Sequence, residues 1–218
     1  MDERIPTRKL FSRQFVMKLS DIQSSNLFNP YSDRCILHDK PDGPVIRRNN
    51  LEKYLAHLAD NKPPTIWVGE ALGYLGGRRT GLPFTDERHL ACFSEVFQTE
   101  QMEKATETGP LPEKTAGTIW KLLKLMKNPP FLWNIVPFHP HESGNPLSNR
   151  SPSRNDVELT ADLTSELIDF FDFDRIYAIG RKAEHFLSKA GYNCLYVRHP
   201  SHGGSKKFTR IILHDYDL

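Results

Sequence analysis

The residues able to do chemistry gather first in one stretch, Thr65 to Glu87, TIWVGEALGYLGGRRTGLPFTDE. The β-branched and aromatic run Thr65-Ile66-Trp67-Val68 reads as a buried strand that breaks into Gly69-Glu70. A loop with Gly73, Gly76, Gly77 and Gly81 follows, and its glycines let the backbone approach a ligand closely. Glu70 sets a carboxylate at the mouth of the strand, and Pro83-Phe84-Thr85-Asp86-Glu87 closes the loop with an aromatic and two more acids.

Two later positions have suitable side chains. Asn134 is a polar residue inside the apolar run Phe131 to Val136. Its amide donates and accepts at once, and when buried it needs a partner, which a ligand can be. His199 follows the apolar run Cys194 to Val197, and its imidazole can be a neutral donor or a cation. Basic residues cluster near these points: Arg78-Arg79, Asn149-Arg150 with Arg154, and Arg198 with Lys206, Lys207 and Arg210. Each cluster could neutralise phosphates. His139-x-His141 with His202 offers ligand-type side chains, but Pro140 gives no helix face and no third ligand is specified, so no metal and no cofactor are expected.

These side chains need a scaffold that brings strand ends together. Leu51, Tyr54, Leu55 and Leu58 fall on one helical face before the first strand, as do Leu90, Phe93 and Phe97 after the loop. Ile119, Leu122, Leu123 and Met126 repeat the pattern until Pro129-Pro130, where the strand Phe131 to Val136 begins. A long polar loop is expected from Pro137 to about Asn155, and an exposed connection from Gln98 to Lys114. Helices through Leu163–Phe171 and Ala183–Ala190 flank a strand at Arg175–Ile179, and the tail from Phe208 is helix or strand. Strand alternating with helix four times predicts an α/β fold, a single three-layer αβα domain with a mainly parallel four-stranded central sheet. Such sheets bind ligands beyond the carboxyl ends of their strands, where Glu70, Asn134 and His199 converge. Residues 1–218 are expected to form one domain, with 1–50 an irregular segment packed on it; Phe15 to Ile22 suggests a short helix there.

Composition narrows the classes. No run approaches about 18 apolar residues, so no membrane span is expected. The polar start Met1-Asp2-Glu3-Arg4 argues against a secretory signal, so the chain is expected to be cytoplasmic, and nucleoid-associated if bacterial. Cys35, Cys92 and Cys194 are too few and too scattered for a disulfide framework. The 29 basic and 27 acidic residues give a net charge of +2, too small by itself to imply a nucleic-acid partner.

Gly69-Glu70-Ala71-Leu72-Gly73 with Thr80-Gly81-Leu82-Pro83-Phe84 resembles the first motif of the uracil-DNA glycosylase superfamily. Phe131-Leu132-Trp133-Asn134-Ile135-Val136-Pro137 resembles the strand whose asparagine reads the base, and His199-Pro200-Ser201 the second signature motif. The three lie in the same order across about two thirds of the chain, far more specific than a lone glycine loop. Some branches with this first motif carry a four-cysteine iron-sulfur cluster, whose ligands this chain cannot supply, so it resembles a cluster-free branch.

The resemblance implies a monomeric, monofunctional enzyme that flips uracil or a related pyrimidine out of DNA and hydrolyses the N-glycosidic bond, leaving an abasic site. Glu70 would position or activate water. Asp86 is its rival, because Arg79 to Asp86 resembles a run that precedes a catalytic aspartate elsewhere in the superfamily. Phe84 would stack on the base, Asn134 would read it, and His199 would stabilise the charge developing on O2. Arg78, Arg79, Arg150, Ser201, His202, Lys206 and Lys207 would face DNA. Three departures stand out. Leu72 replaces a usual proline. Gly73 replaces a tyrosine that blocks C5 substituents, which leaves room for a 5-substituted pyrimidine unless Tyr74 refills it. After Ser201 no apolar wedge follows, so His202 or the 137–155 loop would fill the vacated stack, or the substrate is single-stranded. A homologue that binds DNA without cutting it is the remaining alternative.

Overall fold

The computed structural model describes residues 4–218, and side chains for 10–58 and 61–218. Helix α1 (Arg4–Asp21) and strand β1 (Leu27–Phe28) lead into α2 (Gly43–Asp60) and β2 (Thr65–Ala71). The motif loop then carries α3 (Gly77–Thr80) and a 3-10 turn (Glu87–His89), followed by α4 (Leu90–Phe97), α5 (Lys114–Leu123), β3 (Phe131–Val136) and β4 (His139–Pro140). The last third alternates α6 (Arg154–Phe171), β5 (Arg175–Ile179), α7 (Arg181–Lys189), β6 (Cys194–Val197) and α8 (Ser205–Asp215).

Strands β3, β2, β5 and β6 lie side by side in that order, all parallel. The α/β class and four-stranded parallel sheet are therefore as the periodicity predicts. Helices cover both faces. Parallel partners in register point the same way, so Trp67 and Leu132 share one face while the next residue, Trp133, points to the other. Trp67 meets Phe208 of α8, with 5.6 Å between ring centroids, and donates from Nε1 to the Tyr216 hydroxyl at 2.9 Å. On the opposite face Trp133 meets Phe15 of α1 at 5.7 Å and donates to Thr164 of α6 at 3.3 Å. Ile66, Trp67 and Val68 of β2 are fully buried, as a central parallel strand requires.

The strand order opens the cleft. From β2 the chain goes to β3 on one side, then crosses to β5 on the other, so β2 lies at the point where connections diverge. Its carboxyl end, Gly69-Glu70, is left uncovered between them.

Two expectations need correction, and a third gains a detail. Much of 1–50 is regular rather than irregular: α1 runs 18 residues, and Phe15, Val16 and Leu19 are buried in the core. Its apolar side faces both α2 and the sheet, which blurs the single-stripe pattern. The 137–155 stretch is mostly loop, as expected, but it carries a short strand, β4, which pairs antiparallel with β1, Phe28 opposite His139. The 98–114 connection is partly buried, with Met102, Ala105 and Thr106 inside. The tail resolves to a helix.

Candidate active-site cleft

The sheet's carboxyl edge bounds a cleft of about 480 Å³, lined by Glu70, Gly73, Phe84, Glu113, Asn134 and His199 among others. Gly69 stands in register with Asn134. A β-carbon on Gly69 would lie 2.4 Å from Asn134 Oδ1 and 2.4 Å from Phe84 Cζ. Only a residue without a side chain lets the amide and the ring meet there. Asn134 is 2% exposed, and its side chain makes no hydrogen bond to a described residue. Within the cleft wall, that amide is available to a ligand.

Phe84 adopts a left-handed backbone, φ 53°, uncommon for an aromatic residue. Its neighbours hold it there. Trp120 Nε1 donates to the Phe84 carbonyl at 3.2 Å, and the Thr80 hydroxyl donates to the Thr85 carbonyl at 2.9 Å. Strain held in this way at a cleft marks a positioned side chain.

Glu70 is partly exposed, and Lys182 Nζ lies 2.8 Å from its Oε1. Glu70 also lines a second, larger cavity of about 710 Å³ between α6 and α7, with Val157, Ala161 and Phe186 in its wall and Arg154, Arg181 and Lys189 around it. Its carboxylate stands at the junction of the two spaces.

His199 follows β6. Its Nδ1 accepts from the Ser201 backbone N–H at 3.2 Å and lies 2.8 Å from the Ser201 hydroxyl. With Nδ1 an acceptor, the neutral ring carries its proton on Nε2. Burial lowers its pKa against the opposing pull of the Glu70 charge, so the donor is a neutral imidazole. The turn that builds this contact depends on Gly204, whose β-carbon would fall 2.0 Å from the His199 carbonyl.

Several expected residues lie elsewhere. Asp86 is 1% exposed and is not part of the cleft wall. Its Oδ1 accepts from Arg88 N–H at 3.0 Å and pairs with His89 Nδ1 at 2.6 Å, while Oδ2 accepts from Glu113 N–H at 2.7 Å. Burial opposes its charge, but the His89 and backbone bonds outweigh it and hold the pKa below the usual range. Asp86 fixes the loop and the head of α5.

Arg78 and Arg79, expected to face DNA, are instead buried away from solvent. Arg78 Cζ stacks 3.6 Å from the Phe28 ring centroid, and its Nη1 donates to His139 Nδ1 at 2.9 Å and the Pro146 carbonyl at 2.8 Å. Arg79 pairs with Glu87 at 3.0 Å and donates to Thr106 and Thr108. Arg150 does line the cleft, but its guanidinium is taken by Asp156 and by the Asn26, His141 and Ser151 carbonyls. His139 is held between Arg78 and the Ser148 carbonyl, and burial with the Arg78 charge lowers its pKa to about 3.

Tyr74 does not refill the space beside Gly73. Its ring lies 6.1 Å from His38 and 6.3 Å from His139, away from the cleft wall. Lys206 and Lys207 are exposed on the first turn of α8, Ser201 is half-buried, and His202 is exposed at the cleft with φ 49°.

Sequence reasoning missed Glu113 and Lys182. Glu113 stands at the residue before α5, without a side-chain capping bond, and lines the cleft, where burial, chiefly, and the Asp86 charge push its pKa up to about 7. Only Pro112 before it hinted at a helix start, and nothing pointed to the cleft.

No protein-family model matches the sequence, and no curated protein does. Among solved structures the chain is similar to wild-type SMUG2 from Pedobacter heparinus, at 15% sequence identity and a TM-score of 0.60 over 94% of each chain. That likeness establishes a shared fold.

Proposed function

We propose that this chain is a monofunctional DNA glycosylase that excises uracil or a related pyrimidine from DNA. The single observation that carries the reading is the meeting of Phe84 and Asn134 over Gly69, with Glu70 and His199 in the same cleft. The fold shared with SMUG2, a DNA glycosylase, supports DNA as substrate.

The roles follow from position. The extruded base stacks on Phe84, and Asn134 pairs with its O4 and N3–H. The glycosidic bond breaks with its electron pair passing to the base, whose O2 charge is met by the His199 N–H. Water adds to the sugar carbon and gives a proton to Glu70, which Lys182 orients. Exposed Lys206, Lys207 and Arg198 are among the cations available to phosphates.

The test is alkali-induced scission of labelled oligonucleotides after incubation with the protein, using uracil, hypoxanthine or a 5-substituted pyrimidine, single-stranded and opposite G or A. Cutting that is lost in Glu70→Gln supports the reading. Tight binding without scission at any base would instead make the chain a non-catalytic binder. A second reading, a 5-substituted target, is favoured by one observation: a β-carbon at Gly73 would have no neighbour within 4 Å except Glu113 Oε1 at 4.0 Å.

A further inference from the structure

Of the two spaces that meet at Glu70, the larger, about 710 Å³, takes no part in the reaction above beyond their shared wall. Helix α6 packs mainly on β3, and α7 on β5 and β6, which leaves a groove between the two helices. Ile135 of β3 lines it, with Val157 and Ala161 of α6 and Phe186 of α7. The last three are only half-buried, so they present apolar surface to the groove. Cations stand on the α7 rim. Arg181, Lys182 and Lys189 are exposed there, the first two paired at the surface with Glu184 at 2.7 Å and Glu70 at 2.8 Å. Exposed pairs of this kind exchange partners at little cost. On the α6 rim Arg154 and Glu158 pair with each other at 2.6 Å, so the excess positive charge lies along α7. Glu70 and Pro152 line the groove and the base cleft alike, so a strand held past Glu70 has the groove beside it.

We propose that the groove between α6 and α7 is a second nucleotide subsite, which takes an unpaired base close to the extruded one in the same strand, its face on Phe186 and its phosphates toward Arg181 and Lys189. This rests on the reading that the adjoining cleft receives an extruded base. The chemistry of the groove fits a nucleotide: apolar side chains offer a surface to the π-face of any base, and a row of cations meets the backbone. A paired base cannot enter, because its partner strand would have to pass between the two helices with it. The groove therefore serves single strands, bubbles and frayed ends, and takes no part when the target lies in a closed duplex.

The test uses single-stranded oligonucleotides with one uracil, in which a tetrahydrofuran spacer replaces in turn each of the nearest bases on either side. In the wild-type protein a spacer on one side of the uracil is expected to lower kcat/KM about fivefold or more, the loss of one stacked base. In Ala161→Glu, which sets a charge in the groove, and in Phe186→Ala, the same spacer is expected to change kcat/KM by less than about twofold, while excision from a closed duplex stays at the wild-type level. Ala161→Glu alone serves if Phe186→Ala does not fold. A wild-type protein indifferent to the spacer at every position, or a spacer effect as large in the variants as in wild type, overturns the proposal and leaves the groove to a protein segment. Affinity for the same strands is also measured by fluorescence anisotropy. If no strand is cut, single or duplex, the glycosylase reading fails, and the effect of the spacer on affinity in wild type and variants still decides the groove. Affinities that ignore the spacer overturn the proposal.

Discussion

Gly69 and Asn134 stand in register across β2 and β3, and a β-carbon on Gly69 would lie within 2.4 Å of the Asn134 carbonyl oxygen. Phe84 would be struck at the same distance. Gly69→Ala is therefore expected to displace both groups. We expect about 1–3 kcal/mol of destabilisation from overpacking, read by thermal melting, and a more than tenfold loss of excision. Wild-type activity in this variant would separate the Phe84–Asn134 pair from function.

Asn134 separates a structural role from a functional one. Its buried amide makes no hydrogen bond to a described residue, so removing it strands no protein partner. Asn134→Ala should change stability by less than about 1 kcal/mol, because no paired group is orphaned. Excision should fall on the order of 100-fold, measured as single-turnover rate. A large loss of stability would show the amide to be structural.

Asp86 should behave in the opposite way. Asp86→Ala leaves the Arg88 and Glu113 backbone N–H groups and the His89 ring without their acceptor. We expect destabilisation of about 2–4 kcal/mol in denaturant unfolding. Because the loop carrying Phe84 depends on it, activity falls too, but Asp86→Asn restores folding better than Asp86→Ala.

Stability should depend on pH through groups of opposite sign. His139, with a pKa of about 3, and His38, lowered to about 4 chiefly by burial, bind fewer protons folded than unfolded. Their contribution is complete above the unfolded histidine value of about 6.5 and is lost as pH falls through that window. Glu113 acts in reverse. Raised to about 7, it stabilises the fold least at high pH, its contribution declining as pH rises from about 4.5 to 7. Glu113→Gln should therefore gain on the order of 1–3 kcal/mol relative to wild type between pH 5 and pH 8. Parallel stability–pH curves for the two proteins would contradict the Glu113 environment described above.

The basic residues divide by burial. Lys206→Ala and Lys207→Ala should weaken DNA binding uniformly, each lowering the slope of log affinity against log salt by about 0.9 if it meets a phosphate. Arg78→Ala should instead destabilise the fold, since it strands His139 and uncovers Phe28. Binding titrations at several salt concentrations, beside melting curves, distinguish the two classes.

How much of this was legible follows from what each signal encodes. Strand β2 and the glycine loop were readable because burial on both faces and close backbone approach leave marks in residue type. Asn134 was readable as a polar break in an apolar run. The burial of Arg78 and Arg79 was not legible because charge in a sequence says nothing about depth: Glu87, Thr106 and His139 pair with them and the Phe28 ring covers Arg78, while Arg78 Nε keeps no partner. That Asp86 caps a turn and the head of α5 was not legible, because an acid after a motif and an acid capping a turn are spelled alike. Glu113 was invisible, since its place in the cleft comes from the crossing of α5 over a loop about forty residues earlier. The β1–β4 pair was missed because two residues are too few to show periodicity.

The clasp of Tyr216 on β2 bears on what supports the strand of the motif. Its hydroxyl accepts from the Trp67 indole at 2.9 Å and meets the Thr65 hydroxyl at 2.7 Å, joining positions some 150 residues apart. Contacts of such long range carry the loop-closure cost of all the chain between them. The strand that leads to Glu70 thus has two of its polar groups paired by a residue that follows α8. Without Tyr216 the strand that leads to Glu70 would keep the Thr65 hydroxyl and the Trp67 indole without this partner.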